Sequence, residues 1–330
     1  MSSSERPRIV LVGIGPTTAT ALAGLTAEFA VVALLRAGED DTTALAAGHG
    51  VPVVGDTSVA SLRRVVERER PDAVVVSSYD RILPADMLAG IPFVNVHYAP
   101  LPRYRGRATV NWALINGETD AYIAIHCLEP ALDAGGVLYS GSMPIGPRDT
   151  VSTLYDRLNE LQRDNIAAAV RRRLSGDSGE EQDEGTATYC CTRLPEDGEI
   201  HWSSPTSTID RLVRSLTPPF PAAYTYLGLR RLLVHRAEPR LDAPRYEGRI
   251  PGRPVGRSSA EGWVDVLTGD GVLRLHTVAL DGDEPVPAAD VIRSVKQTLG
   301  LRTQDLLSKI ADLEARLATT ITDPAGVTSA

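Results

Sequence analysis

The run Phe93-Val-Asn-Val-His97 reads as a short strand, and Asp133 follows it within the glycine-rich stretch Asp133-Ala-Gly-Gly136. Residues two apart on a strand share a face, so Asn95 and His97 point the same way at the strand's end. In an open α/β sheet, ligands bind outside the carboxyl ends of the strands. An amide and an imidazole there can stabilise a developing oxyanion, and a carboxylate can orient the imidazole or relay a proton. That is equipment for acyl transfer. Pattern alone leaves a plainer alternative open, in which Asn95 and Asp133 hold turns and His97 is an ordinary strand-end histidine. Pro100, Pro102 and Gly106 stiffen the loop that follows His97.

Other chemistries find less support. Gly13-Ile-Gly15 lacks the third glycine of a dinucleotide fingerprint, and Arg36 rather than an acidic residue ends the next strand. Cys190-Cys191 with His201 supplies no second ligand pair for zinc, and His126 and Cys127, adjacent on a strand, face opposite ways. No metal site is expected, and no serine nucleophile elbow is present.

The elements that must position the trio alternate. Strand-like runs at 8–12, 30–35, 73–77 and 93–97 are apolar throughout, and helical spacing occupies 17–29 and 58–68. This predicts a mostly parallel, Rossmann-like sheet covered on both faces. Two further strands at 121–128 and 137–143 and a long helix at 153–173 complete the region. Residues 174–188 are rich in Ser, Gly, Asp and Glu and read as a linker or exposed loop. Short runs at 231–235, 263–267 and 272–276 then predict a small β-barrel-like, OB-like domain, with a hairpin turn at Thr268-Gly-Asp-Gly271. The expected division is 1–180, 181–300, and a C-terminal helix and tail over 301–330.

Three motifs in order make the chain recognisable: Asn95-Val-His97 with Leu101-Pro-Arg-Tyr-Arg-Gly106; Trp112-Ala-Leu-Ile-Asn-Gly-Glu118; and His126 separated from Asp133 by six residues. Together they resemble the folate-dependent formyltransferase family. The resemblance extends through Pro195-Glu-Asp-Gly-Glu-Ile-His-Trp202 and Pro218-Pro-Phe-Pro-Ala-Ala-Tyr-Thr-Tyr226. It implies Asn95, His97 and Asp133 as the catalytic trio and N10-formyltetrahydrofolate as the formyl donor. It also implies a pterin pocket lined by Tyr79, Arg81, Ile82, Leu83 and Gly135. Two loops depart from the family pattern: Ala99-Pro-Leu-Pro102 and Glu129-Pro-Ala131.

The acceptor is a matter of charge. The family's tRNA-directed members carry a basic insertion after the second strand. Here that place is Arg36-Ala-Gly-Glu-Asp-Asp-Thr-Thr43, and the whole chain carries a net charge of −8. Phosphate backbones are bound through Lys and Arg. The expectation is therefore a small-molecule amine, an amino-sugar nucleotide or an amino acid. Formylation of initiator methionyl-tRNA is the alternative, and a non-catalytic folate-binding relative a further one. No uninterrupted apolar run is long enough to span a bilayer, the start does not read as a signal peptide, and three cysteines make no disulfide framework. A cytoplasmic protein without membrane or nucleic-acid partners is expected. Leu306, Ile310, Leu313 and Leu317 form an apolar stripe on the last helix, expected to be buried, with a homodimer contact as the favoured cover.

Overall fold

A computed structural model describes residues 6–15 and 17–322, the last four of these by backbone only. Residues 1–5, within which the reading of the N-terminus begins, lie outside the described residues. The first unit spans Met1–Arg193 and the second Leu194–Ala330.

β1 (Arg8–Val12) is buried at nearly every position, as a strand covered by helices on both faces must be. The chain continues through α1 (Thr17–Thr26), β2 (Ala30–Leu35), α2 (Asp41–Gly48), β3 (Val53–Val54), α3 (Val59–Glu69), β4 (Ala73–Ser77), α4 (Ala85–Leu88), β5 (Phe93–His97), β6 (Arg105–Gly106), α5 (Thr109–Asn116), β7 (Asp120–Cys127), β8 (Val137–Pro144), α6 (Val151–Leu174) and β9 (Tyr189–Cys190). The main sheet runs β3-β2-β1-β4-β5-β7-β8. Strands from β3 to β5 pair in parallel, and β7 and β8 are antiparallel. Period-two alternation sends Val10, Val12, Val74 and Val76 to one face, against Leu62 and Val65 of α3 and Met87 of α4. Ile9, Leu11 and Val75 are as deeply buried on the other face, and α1 and α6 pack against each other.

One polar residue crosses this layer. Gln162 of α6 is wholly buried, and its amide donates to Thr17 O (3.0 Å). Its Oε1 accepts from the Tyr98 hydroxyl (2.5 Å), which also reaches Asn159 Oδ1 (2.6 Å). Tyr98 directly follows His97, so the end of β5 is anchored to α6 through a hydrogen-bonded side chain.

Residues 174–188 are not a free linker. Glu180 and Val137 exchange both backbone hydrogen bonds (2.8 and 2.9 Å), Arg105 N donates to Thr188 O (2.8 Å), and β9 pairs in parallel with β6. Apolar content does not reveal a segment held by main-chain hydrogen bonds, which is why composition misreads it. The first unit accordingly runs on past the expected boundary at 180, to Arg193.

The second unit contains α7 (Thr206–Ser215), β10 (Ala223–Leu227), β11 (Arg230–Pro239), β12 (Pro254–Ser258), β13 (Trp263–Leu267), β14 (Val272–Leu280), β15 (Val286–Pro287), α8 (Ala288–Val291) and α9 (Thr303–Thr322). Its antiparallel sheet follows the order β10-β11-β14-β13-β12, with β15 on β14. The hairpin between β13 and β14 closes through Thr268 N and Gly271 O (3.0 Å). Trp202 belongs to this unit's core, and its Nε1 donates to Thr225 Oγ1 (2.9 Å). No described helix is long and apolar enough to cross a membrane.

Replacing Gln162 with Leu keeps much of the volume but removes the amide's bond to Thr17 O and leaves the Tyr98 hydroxyl with Asn159 Oδ1 as its partner. An unmade buried hydrogen bond costs about 1–3 kcal/mol, so urea unfolding of Gln162→Leu should show a loss of that size. A variant as stable as the parent would remove Gln162 from the account of how β5 is anchored.

Candidate active site

β5 and β7 pair antiparallel with Asn95 opposite His126 and His97 opposite Ala124. This register brings a second imidazole to the trio. His126 Nδ1 lies 2.8 Å from Cys127 O. A carbonyl only accepts, so Nδ1 carries the proton and Nε2 is left as an acceptor. Asn95 Nδ2 donates to that Nε2 at 3.1 Å, and lies 3.5 Å from Asp133 Oδ1. The orientation of the Asn95 amide is therefore set by its neighbours. His97 is fixed by the same logic: its Nε2 donates to Tyr104 O (2.8 Å), leaving Nδ1 to face Asp133 Oδ2 at 3.8 Å.

Asp133 reaches these groups from a left-handed backbone conformation (φ 48°), a costly setting for any residue with a side chain. Gly106 N donates to its Oδ2 (2.8 Å), and its own carbonyl accepts from Gln182 Nε2 (2.8 Å). Gln182 also donates to Gly135 O (2.8 Å). A side chain at 135 would meet Cys127 O at 2.0 Å, and one at 106 would meet Cys190 O at 2.7 Å, so both close approaches require glycine.

Arg105, 1% exposed, bolts the 180–190 segment in place. It donates to Gln182 Oε1 (2.8 Å) and to both Glu184 oxygens (2.5 and 2.9 Å). The loop carrying Gly106, the Asp133 turn and residues 180–190 thus support one another. The sequence reading singled out neither His126 nor Arg105 as a site residue. The spacing of His126 to Asp133 was the available signal, since strand register is not written in it.

The structure brings Asn95, His97 and Asp133 together. Of the expected folate-lining residues, Tyr79, Arg81, Ile82 and Leu83 lie along the stretch after β4, the neighbour of β5, and Gly135 lies between β7 and β8. Tyr79 donates its hydroxyl to Thr57 O (2.7 Å). Arg81 is exposed and Ile82 is 88% exposed. Leu83 has its side chain buried in the core with Leu62 and Val76. Residues 81–83 form neither helix nor strand, so their main-chain groups lie outside any ladder.

At the end of β2, buried Arg36 donates to Gly15 O (3.0 Å) and to both oxygens of Asp40, the N-cap of α2. Hydrogen bonding from Arg36 holds the Asp40 carboxyl down at about 2. Glu39 and Asp41 remain exposed on either side. Among the described residues no group of three His, Cys, Asp or Glu side chains is placed to hold a metal.

Burial pushes His126 down to about 4, with the Asp133 charge acting in the opposite sense. A histidine depressed in the native state binds fewer protons there than when unfolded, between about pH 6.5 and 4. Its contribution to stability is complete above that window and lost as pH falls through it. Urea midpoints should therefore drop on acidification across this range, and His126→Gln should flatten that part of the profile. An unchanged slope in the variant would mean that His126 is not the titrating group.

Comparison with known proteins places this geometry. Residues 55–170 match the formyl transferase family, and residues 194–296 match the formyl transferase C-terminal domain. Methionyl-tRNA formyltransferase of Geobacter sulfurreducens is 34% identical over 265 residues, covering 78% of this chain and 81% of the relative. That of Syntrophus aciditrophicus is 32% identical over 262 residues, covering 77% and 81%. Among solved structures, HypX from Aquifex aeolicus in complex with tetrahydrofolic acid aligns at a TM-score of 0.65 and 17% identity, over 88% of this chain and 48% of HypX. WlaRD, a sugar 3N-formyl transferase, aligns at 0.62 and 12% identity, over 85% of this chain and all of its own. These two likenesses speak to the fold. The two matched regions, in chain order, and the relatives that share a third of their residues over most of their length carry the assignment: the chain belongs to the formyl transferase family.

Proposed function

We propose that the protein transfers the formyl group of N10-formyltetrahydrofolate to an amine, and that the amine is the one carried by methionyl-tRNA. The observation that carries the first part is the meeting of Asn95, His97 and Asp133 at the end of β5. The donor would supply the formyl group and a nitrogen that leaves with a proton. The Arg81–Leu83 main chain, the Ile82 side chain and Gly135 suit a flat heterocycle with an amide-like edge.

The residues divide the work. The attacking amine must be neutral. As its nitrogen bonds to the formyl carbon, negative charge grows on the formyl oxygen, and an N–H of Asn95 is the donor placed to meet it. The Asn95 hydrogen not given to His126 has only a long contact with Asp133 Oδ1, so it is the one available to the oxyanion. His97 Nδ1 is the nitrogen not committed to Tyr104, so it takes the proton lost by the amine and returns it to the leaving nitrogen. The imidazolium formed in between faces the Asp133 carboxylate, which stabilises it.

The acceptor reading is supported by the relatives, which are methionyl-tRNA formyltransferases. It reverses the order reached from charge alone. One observation still favours a second reading, a small amine. The segment after β2 is acidic, its Arg36 is consumed by Asp40 and two carbonyls, and no basic surface is left there for phosphates.

His97→Ala and Asp133→Asn should each lower kcat by about 10²–10⁴-fold while the fold survives. A folded His97→Ala protein with near-normal turnover would remove His97 from the mechanism. Release of tetrahydrofolate from N10-formyltetrahydrofolate, followed with charged initiator tRNA and with a panel of amino sugars and amino acids, decides the acceptor. Turnover with the tRNA at physiological salt is the expected result. Turnover confined to the small amines would overturn the tRNA reading and leave formyl transfer standing.

A further inference from the structure

We propose that α9 pairs with α9 of a second copy of this chain as a parallel, two-stranded coiled coil. Every side chain of the helix from 306 to 318 is exposed. Leu306, Ile310, Leu313 and Leu317 are 41%, 50%, 49% and 61% exposed. An isolated helix of this length is marginal in water, so a line of four large apolar residues calls for a cover.

The stripe itself names the occupant. Its intervals alternate between four and three residues, the seam of a heptad repeat, with Leu306 and Leu313 at d and Ile310 and Leu317 at a. Ile310 at the first a position, with leucine at both d positions, suits two parallel strands. Gln304, Asp305, Ser308 and Asp312 occupy positions away from the seam. The flanking charges fix the direction. Lys309 falls at g and Glu314 at the following e, so in a parallel pair Lys309 of each copy meets Glu314 of the other. In an antiparallel pair g faces g, and Lys309 and Arg316 would confront one another as like charges. Within the described residues Lys309 pairs with Asp312, at 3.3 Å, in a contact about half open to solvent that is easily exchanged. The helix thus complements itself in charge as well as in shape.

Sedimentation of the full chain tests this. The wild type should be dimeric, and Leu313→Asp should be monomeric at concentrations at least tenfold above those at which the wild type pairs, with an unchanged melting profile. Lys309→Glu and Glu314→Lys should each weaken self-association several-fold, and an equal mixture of the two should restore it, because each now carries what the other lacks. A monomeric wild type, a trimer, or a Leu313→Asp chain that stays dimeric overturns the proposal. A mixture no tighter than its components overturns the parallel register. A Leu313→Asp chain of unchanged mass but lower melting temperature would show a helix packed on its own chain, and would equally overturn it.

Discussion

The first unit turns on one mostly buried carboxylate. Asp133 Oδ2 is held by the Gly106 N–H and faces His97, while Oδ1 faces Asn95 and His126. Those partners come from three separate pieces of chain: β5, which supplies both Asn95 and His97, β7 and the loop through β6. In surroundings of low polarisability such contacts are stronger than in water, and an unpaired charge would be correspondingly expensive. The left-handed backbone at 133 persists because Gln182 fastens its carbonyl and Gly135 allows the chain to pass close to Cys127. Remove any of these supports and the carboxylate has no reason to point where it does.

The two histidines near it play unequal parts. His126 is sealed, neutral at ordinary pH and committed at both nitrogens, to Cys127 O and to Asn95. It behaves as a fixed acceptor that orients an amide. His97 has one nitrogen committed and one facing the acid. Identical side chains at 6.3 Å, with rings at 89°, thus do different work because of which carbonyl each donates to. Sites that separate their acid and base roles commonly do so by such differences in environment.

Much of this could be read from residue order. Apolar strands alternating with helices announced the parallel sheet, and the two-residue step from Asn95 to His97 placed both on one face. What could not be read depended on long-range pairing. That His126 sits opposite Asn95 follows from the register of β5 and β7, which no local pattern states. Residues 180–190 are polar and look idle, yet their main chain and Gln182 complete the site. Leu83 stands in a loop by its neighbours and in the core by its side chain. The last helix was legible as a helix with an apolar stripe, but not that the stripe would stand exposed on its own chain.

The support that Gln182 lends to Asp133 spans 49 residues of chain, and that from Thr188 to Tyr104 spans 84. Such contacts form only after the intervening chain is in place. On the ribosome, where chains fold as they emerge, the strands around β5 are made well before residues 180–190 appear. The sheet can assemble while the loop beside Asp133 waits, and the last part of the first unit to be synthesised is the one that fastens the turn at Asp133. Folding order and competence are separated in time by the placement of a few polar residues.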